Sequence, residues 1–325
     1  MTHRYDVYGI GNALVDIQAR VEDAMIADIS SEHFPGVITK GTMHLVNTSF
    51  QGHLLRVLER ETLHTVAGGS ACNTILGVAY AGCRAKYAGK VGDDVHGAFF
   101  VDDLHSLGVD FDVPMGHDDT GTCVILVTPD AQRTMFTHLG ISTALTPDDI
   151  NEDDIRQSRW IYIEGYLWDA DGPKAASIKA MEIAKRHGVR VAYTFSDRFC
   201  VERAREDFLA FTKHYVDLVF CNRDEAYAFA CEHGLEKTVQ MITGLGTGVA
   251  ITDGVNGSVI AWNGERLQVP SVKTTAIDTT GAGDLYAAGV LAGICQGKSM
   301  HDAGALGAKL AAQVIAVQGA RLQVA

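Results

Sequence analysis

One seven-residue run, Asp278-Thr279-Thr280-Gly281-Ala282-Gly283-Asp284, carries the clearest chemistry in this sequence. It follows an extended stretch at 272–276 and opens a helix over 285–293. Gly281 and Gly283 let the backbone turn sharply and approach a ligand closely. The N–H groups of 281–284 then project from a helix start, where unpaired amides and the helix dipole favour an anion. Asp284 sits in that first turn. It either caps the helix or acts as a base beside the anion hole. An anion hole with an oriented base is what phosphoryl transfer needs.

Other runs share that theme. Asn222-Arg223-Asp224-Glu225 follows an apolar strand at 216–221. Asn222 and Glu225 can hold the water shell of Mg²⁺ near phosphates, or form a plain capping box. Ile251-Thr252-Asp253-Gly254 through Asn256-Gly257 reads as strand, turn, strand. A nucleotide can lie along it, or it is a simple hairpin. Gly68-Gly69-Ser70-Ala71-Cys72-Asn73 brings two glycines and two polar groups to a helix start, with Asn12 and Asp16 beside it. Such side chains suit the vicinal hydroxyls of a sugar. Asp16 reads equally as an exposed strand residue. Gly89-Lys90-Val91-Gly92-Asp93-Asp94 makes a turn whose carboxylates can cap the next helix.

Two glycine clusters are decoys. Gly244-Leu245-Gly246-Thr247-Gly248 precedes a strand instead of following one, and Gly9-Ile10-Gly11 has Leu14 where a third glycine is needed. Neither makes a dinucleotide fingerprint. No G-x-x-x-x-G-K-[ST] or H-E-x-x-H run occurs, which argues against a Walker loop and a built-in transition-metal site.

The elements that must position these residues read as α/β. Strands are expected at 5–10, 15–21 (half-buried, by its alternation), 43–46 and 84–88. Helices are expected at 49–59, 70–81 and 97–107, and the rest of 22–65 is irregular. Strands at 122–128 and 134–139 surround a turn at 129–132. Beyond residue 160, strands at 160–163, 189–194, 216–220, 248–252 and 258–261 alternate with helices at 173–187, 201–214, 223–232 and 235–243. That alternation implies a parallel sheet covered on both faces. The segment 281–317, rich in Ala and Gly, gives two close-packed helices. The insertions 12–47 and 109–140 are each too small for a core. Pairing into one small sheet, they form a lid over the remainder, 1–11, 48–108 and 141–325.

Composition sets the outer limits. The 325 residues carry 27 Lys plus Arg and 40 Asp plus Glu, so 27 − 40 = −13. That charge argues against nucleic-acid polymers and anionic membranes. It leaves room for an anionic small ligand held by backbone amides and a local cation. Glycine numbers 34, against about 23 at the usual share. With only 6 prolines, the excess points to tight loops and close backbone approaches. The 7 cysteines are odd in number and form no C-x-x-C pair, as expected of reduced thiols in a cytoplasmic protein. There is no secretory signal pattern and no transmembrane-length apolar run.

Taken together, these motifs resemble the PfkB-type carbohydrate and nucleoside kinases, the ribokinase-like family. The resemblance covers nearly the whole chain in consistent order, through Gly68–Asn73, Gly89–Gly97, Asn222–Glu225 and Asp278–Asp284. It implies a three-layer α/β/α domain with a mainly parallel sheet and a small β lid. It also implies ATP, Mg²⁺ and transfer to a hydroxymethyl group. Asp284 matches the family's base, and Gly281, Ala282 and Gly283 its anion hole. Asn222 and Glu225 match the magnesium–phosphate network, and Thr252 and Gly254 positions along ATP. Asp278 and Thr280 match a K⁺ site found in many members. Asn12, Asp16, Gly68, Gly69, Ser70 and Asn73 match the acceptor's hydroxyl-binding residues.

Within the family, Gly11-Asn12-Ala13-Leu14-Val15-Asp16 is most similar to the adenosine kinase branch, as are Gly121-Thr122-Cys123 and Asp130-Ala131-Gln132-Arg133. Arg133 is then a hairpin surface charge, or a lid cation that meets the transferred phosphate. Where that branch places two aromatics, this chain has Gly165-Tyr166-Leu167-Trp168. Tyr166 or Trp168 stacks a purine, or both are core. The implied acceptor is the 5′-hydroxyl of adenosine, as in purine salvage. The alternatives are a sugar kinase (ribose, fructose or 2-keto-3-deoxygluconate) and a non-catalytic nucleoside- or sugar-binding regulator. An exposed lid edge leaves both monomer and homodimer open.

Overall fold

Apolar runs punctuated by turn residues become the strands of two sheets. The structure, a computed structural model, describes residues 3–33, 38–130 and 132–322. Residues 34–37, inside the expected insertion 12–47, and Ala131, inside the expected turn 129–132, lie outside the described residues.

Among the described residues the large sheet has nine strands. From one edge they run β14 (Glu265–Val269), β13 (Ser258–Trp262), β12 (Gly248–Thr252), β11 (Leu218–Asn222), β10 (Arg190–Thr194), β9 (Ser158–Glu164), β1 (Tyr5–Ile10), β5 (Ala85–Ala88) and β6 (Val109–Asp110). Seven of them, from β12 to β6, are parallel, and β13 and β14 complete an antiparallel edge. Strands such as Trp160-Ile161-Tyr162-Ile163 are apolar without alternation because helices cover both faces. The helices Ser70–Tyr80, Ala282–Cys295 and Met300–Val314 pack together on one side. Those of Glu152–Arg156, Asp171–His187, Arg198–Tyr215, Arg223–Ala230 and Leu235–Thr243 form a chain of neighbours on the other. The three-layer α/β/α architecture is therefore the observed one.

Part of the glycine excess lies in this packing. A Cβ on Gly289 would fall 2.6 Å from the Gly307 Cα, so these helices touch backbone to backbone.

The small sheet runs β3 (Met43–Leu45), β8 (Arg133–His138), β7 (Gly121–Val127), β2 (Leu14–Arg20) and β4 (His64–Gly68). The two insertions do pair, β2 with β7 and β3 with β8. Two strands depart from the expected division. β4 comes from a stretch assigned to the large unit, and β6, expected in the second insertion, joins the large sheet. Neither is legible alone. β4 begins with polar His64 and Thr65 and ends in glycine, and β6 has two residues. The helix Asp23–His33 also forms where an irregular run was expected. Conversely, 272–276 carries no strand and is exposed.

β2 is buried on both faces, not one. Asp16 is 5% and Gln18 1% exposed, so Asp16 is no surface residue. All the cysteines are unpaired, and only Cys231 is exposed. Among the described residues no helix is long and apolar enough to cross a membrane.

Candidate active site

The carboxyl ends of β1, β9, β10, β11 and β12 open on a cavity of about 410 Å³, which the small sheet faces from the other side. Open α/β sheets bind ligands at this edge. Asn12 follows β1, Glu164 ends β9, Thr194 ends β10, Asn222 ends β11 and Thr252 ends β12, and each of them lines the cavity.

Asp284 lines the cavity from the first turn of the helix Ala282–Cys295. Gly281 caps that helix at φ +76°, a left-handed conformation suited to glycine. The first N–H groups of a helix lack intrahelical acceptors. Ala282 turns its N–H toward the Thr279 carbonyl at 3.4 Å, leaving Gly283 and Asp284 as the better anion donors. The Ser70 hydroxyl donates to Asp284 Oδ1 at 2.7 Å, and Asn73 Nδ2 donates to Oδ2 at 3.2 Å. Desolvation pushes the Asp284 carboxyl up to about 6, against these two hydrogen bonds and the Arg133 charge. A carboxylate held by two donors and titrating just below neutrality suits a general base.

On the small-sheet side, the Asp16 carboxylate takes no hydrogen bond among the described residues and faces the cavity. Burial pushes its carboxyl up to about 7. Gly68 is not in the wall. It makes space for Asp16, because a Cβ on Gly68 would lie 2.2 Å from the Asp16 Cγ. Asn12, Gly69, Ser70 and Asn73 complete this side. Arg133 reaches the cavity from β8 and is the only Lys, Arg or His among the described lining residues. It is not a hairpin surface charge.

One residue escaped the sequence reading. Glu164 is fully buried. Its Oε1 accepts the Asn12 N–H and its Oε2 the Ala71 N–H, both at 2.7 Å. It thereby ties the loop after β1 to the helix start that carries Ser70 and Asn73. Desolvation pushes its carboxyl up to about 7. Glu164→Gln keeps one acceptor and points an N–H₂ at the other amide. Turnover is expected to drop about 10²-fold, the scale of a small misplacement of reacting groups. Steady-state kinetics check this, and unchanged kcat and acceptor KM would remove Glu164 from the site.

The side near the ends of β11 and β12 is less uniform. Asn222 and Glu225 form a capping box: Asn222 Oδ1 accepts the Glu225 N–H at 2.9 Å, and Glu225 Oε2 accepts the Asn222 N–H at 3.0 Å. Both still line the cavity. Among the described residues no group of three or more His, Cys, Asp or Glu is placed to hold a metal ion. One carboxylate and one amide fit Mg²⁺ that keeps its waters and leans on phosphate. Thr252 lines the wall, but Gly254 sits outside it at the exposed tip of the β12–β13 hairpin. Thr280 lines the wall, and Asp278 is fully buried behind it. Asp278 Oδ1 accepts the Thr280 N–H and hydroxyl, while Oδ2 accepts the Gly319 N–H and Gln18 Nε2. Both Asp278 oxygens therefore have partners within the chain. Tyr166 lines the cavity. Trp168 instead packs on Phe211, Tyr193 and Phe208, which makes it a core residue.

A buried carboxylate beside helix-start amides, in a cavity between two sheets, is an arrangement suited to phosphoryl transfer. Residues 48–324 match the pfkB family carbohydrate kinase profile. The crystal structure of an adenosine kinase from Sinorhizobium meliloti is 40% identical, with TM-score 0.90, over 99% of this chain and 97% of that one. A probable sugar kinase from Rhizobium etli is 37% identical, with TM-score 0.91, over 99% and 96%. A 5-dehydro-2-deoxygluconokinase from Bacillus licheniformis is 28% identical over 78% of this chain and 82% of its own length. The chain belongs to the pfkB family of carbohydrate kinases and is a kinase with an alcohol acceptor.

Proposed function

We propose that this kinase moves the γ-phosphoryl group of ATP to the 5′-hydroxyl of a nucleoside, adenosine above others. The observation that carries this reading is the cavity face of the small sheet. Strand register puts Asp16, Cys123, Thr137 and Leu45 in one row across it. The next row holds Gln18, Ile125, Met135 and Met43. Leu14, Leu139 and Tyr166 extend the apolar wall. A carboxylate beside a mainly apolar face suits a ribose joined to a flat base. A sugar acid would bring a carboxylate into a site already holding Asp16, Glu164 and Asp284, with Arg133 as the only lining cation among the described residues.

In the reaction, Asp284 takes the proton of the hydroxyl as its oxygen bonds to the γ-phosphorus. The bond to the bridging oxygen breaks, and ADP leaves with that electron pair. The amides of Gly283 and Asp284 and the Arg133 guanidinium face the transferring group. Asn222 and Glu225 would hold Mg²⁺ through its waters, which supplies charge neutralisation at the phosphates.

The test is ATP consumption against adenosine, inosine, guanosine, ribose, fructose and 2-keto-3-deoxygluconate. Adenosine is expected to give the highest kcat/KM. A preference for a free sugar or a sugar acid overturns the nucleoside assignment and favours the sugar-kinase relatives.

A further inference from the structure

The C-terminal segment touches both halves of the site from behind. Ile315 O accepts the Ile277 N–H at 2.7 Å, and the Gly319 N–H donates to Asp278 Oδ2 at 2.9 Å. The Ala320 carbonyl lies 2.6 Å from where a Gly281 Cβ would stand. Arg321 follows directly. Its side chain is only 12% exposed and pairs with Asp103 Oδ2 at 2.7 Å. The same Asp103 oxygen accepts the Ala67 N–H at 3.0 Å. Ala67 adjoins Gly68, against which the Asp16 carboxylate is seated. Among the described residues the buried Arg321 Nη1 has no hydrogen-bond partner. A largely buried guanidinium is thus linked, through Asp103, the Ala67 N–H and Gly68, to the Asp16 carboxylate.

We propose that Arg321 is a positioning residue for the acceptor: locked by Asp103, it supplies the positive charge that lets Asp16 face the cavity as an anion. The inference rests on the reading of Asp16 as a hydroxyl-binding group. An ionised carboxylate binds hydroxyls more strongly than a neutral carboxyl, because it accepts charge-assisted hydrogen bonds. The charges acting on Asp16 come from every side: Arg321 and Arg133 favour the anion, Asp284 and Asp278 oppose it, and Arg321 outweighs Arg133. The thiols of Cys72 and Cys123 also feel Asp16, and burial pushes both of them up. Arg133 lies on the small sheet and Arg321 does not. The supporting charge is therefore present before any movement of that sheet.

The experiment compares Arg321→Met and Arg321→Lys with the parent, using the alcohol that the parent phosphorylates best. The choice of alcohol tests the proposed function, whereas the ratio of variant to parent tests Arg321. The readout is acceptor KM against pH, because Asp284 governs kcat. Losing one nearby opposite charge is expected to raise the acid limb of acceptor binding by about one pH unit. Acceptor KM near pH 6 then rises about tenfold, converges with the parent at high pH, and ATP KM stays put. Arg321→Lys restores most of the binding. Equal losses in both KM values at every pH, with a lower Tm, mean a purely structural role and overturn the proposal. So does an unmoved acid limb in Arg321→Met. If Arg321→Met does not fold, Arg321→Gln serves in its place with the same two outcomes.

Discussion

Asp284→Asn is expected to lower kcat by about 10²–10⁴-fold, the range for loss of a general base, while ATP KM barely moves. Asparagine fills the same space and its Oδ1 still accepts the Ser70 hydroxyl at the position now occupied by Asp284 Oδ1. Its N–H₂ faces Asn73, which must turn its amide to answer. The geometry survives and the proton acceptor is gone. The residual rate reports what the helix-start amides and Arg133 achieve alone. As the proposed base works in its carboxylate form, the parent's rate is expected to fall as pH drops through about 6. In Asp284→Asn that limb disappears from kcat. Folding should not suffer. Asp284 raises the carboxyls of Asp16, Glu164 and Glu225 by repulsion, so removing its charge eases three buried neighbours. A Tm equal to or above the parent's is the expected companion of the lost rate. A slow variant with a much lower Tm would point to damage, and near-normal turnover would sink the base assignment. Rates across pH, with calorimetry on the same samples, decide between these.

Where spacing and backbone chemistry coincide, the candidate site could be read from residues alone. Gly281, Gly283 and Asp284 stand out because a tight turn, helix-start amides and a carboxylate fall within four positions of one another, and all three line the cavity. Gly68 and Gly69 mark a close approach, although what Gly68 approaches, the Asp16 carboxylate, needed coordinates. Arg133 illustrates a parity problem. Whether it faces solvent or ligand depends on the register of β8 against β7, which pairs Val127 with Arg133. Glu164 was invisible for another reason. Its partners are backbone N–H groups at residues 12 and 71, and amides carry no sequence signature. Trp168 and Tyr166 lie two apart in one short 3₁₀ turn, where neither a two- nor a four-residue period tells wall from core. Asn222 and Glu225 match two physical roles at once, and the structure shows them capping each other while still lining the cavity. The architecture was more legible than the lid, because long apolar strands are set by burial on two faces, whereas β4 and β6 owe their strand state to neighbours.

Gly281→Ala should be nearly as damaging to turnover as loss of the base, for a backbone reason. Gly281 holds φ +76°, and a Cβ there would stand 2.6 Å from the Ala320 carbonyl oxygen and 2.9 Å from its Cα. The left-handed conformation alone costs an L-residue about 1–2 kcal/mol. The clash is with backbone, which cannot swing aside as a side chain would. Relief requires either the 315–321 segment to retreat or the first turn of the helix Ala282–Cys295 to unwind. Both displace the amides of Gly283 and Asp284 from the transferring group. Losing one such donor typically costs about 10²–10³-fold in rate, and here the base carried on the same turn shifts with it. We therefore expect kcat to fall at least that far, with a Tm loss of several degrees, since about 1 kcal/mol moves Tm by ~2 °C or less in a chain this large. Gly283→Ala supplies the control. Among the described residues, nothing beyond its chain neighbours and its own helix backbone lies within 4 Å of where its Cβ would be, and its backbone is ordinary helix. That variant should fold as the parent does and lose rate only through the methyl group intruding on the phosphoryl path. If Gly281→Ala kept both its Tm and its turnover, the helix start would not be the rigid anion site described above.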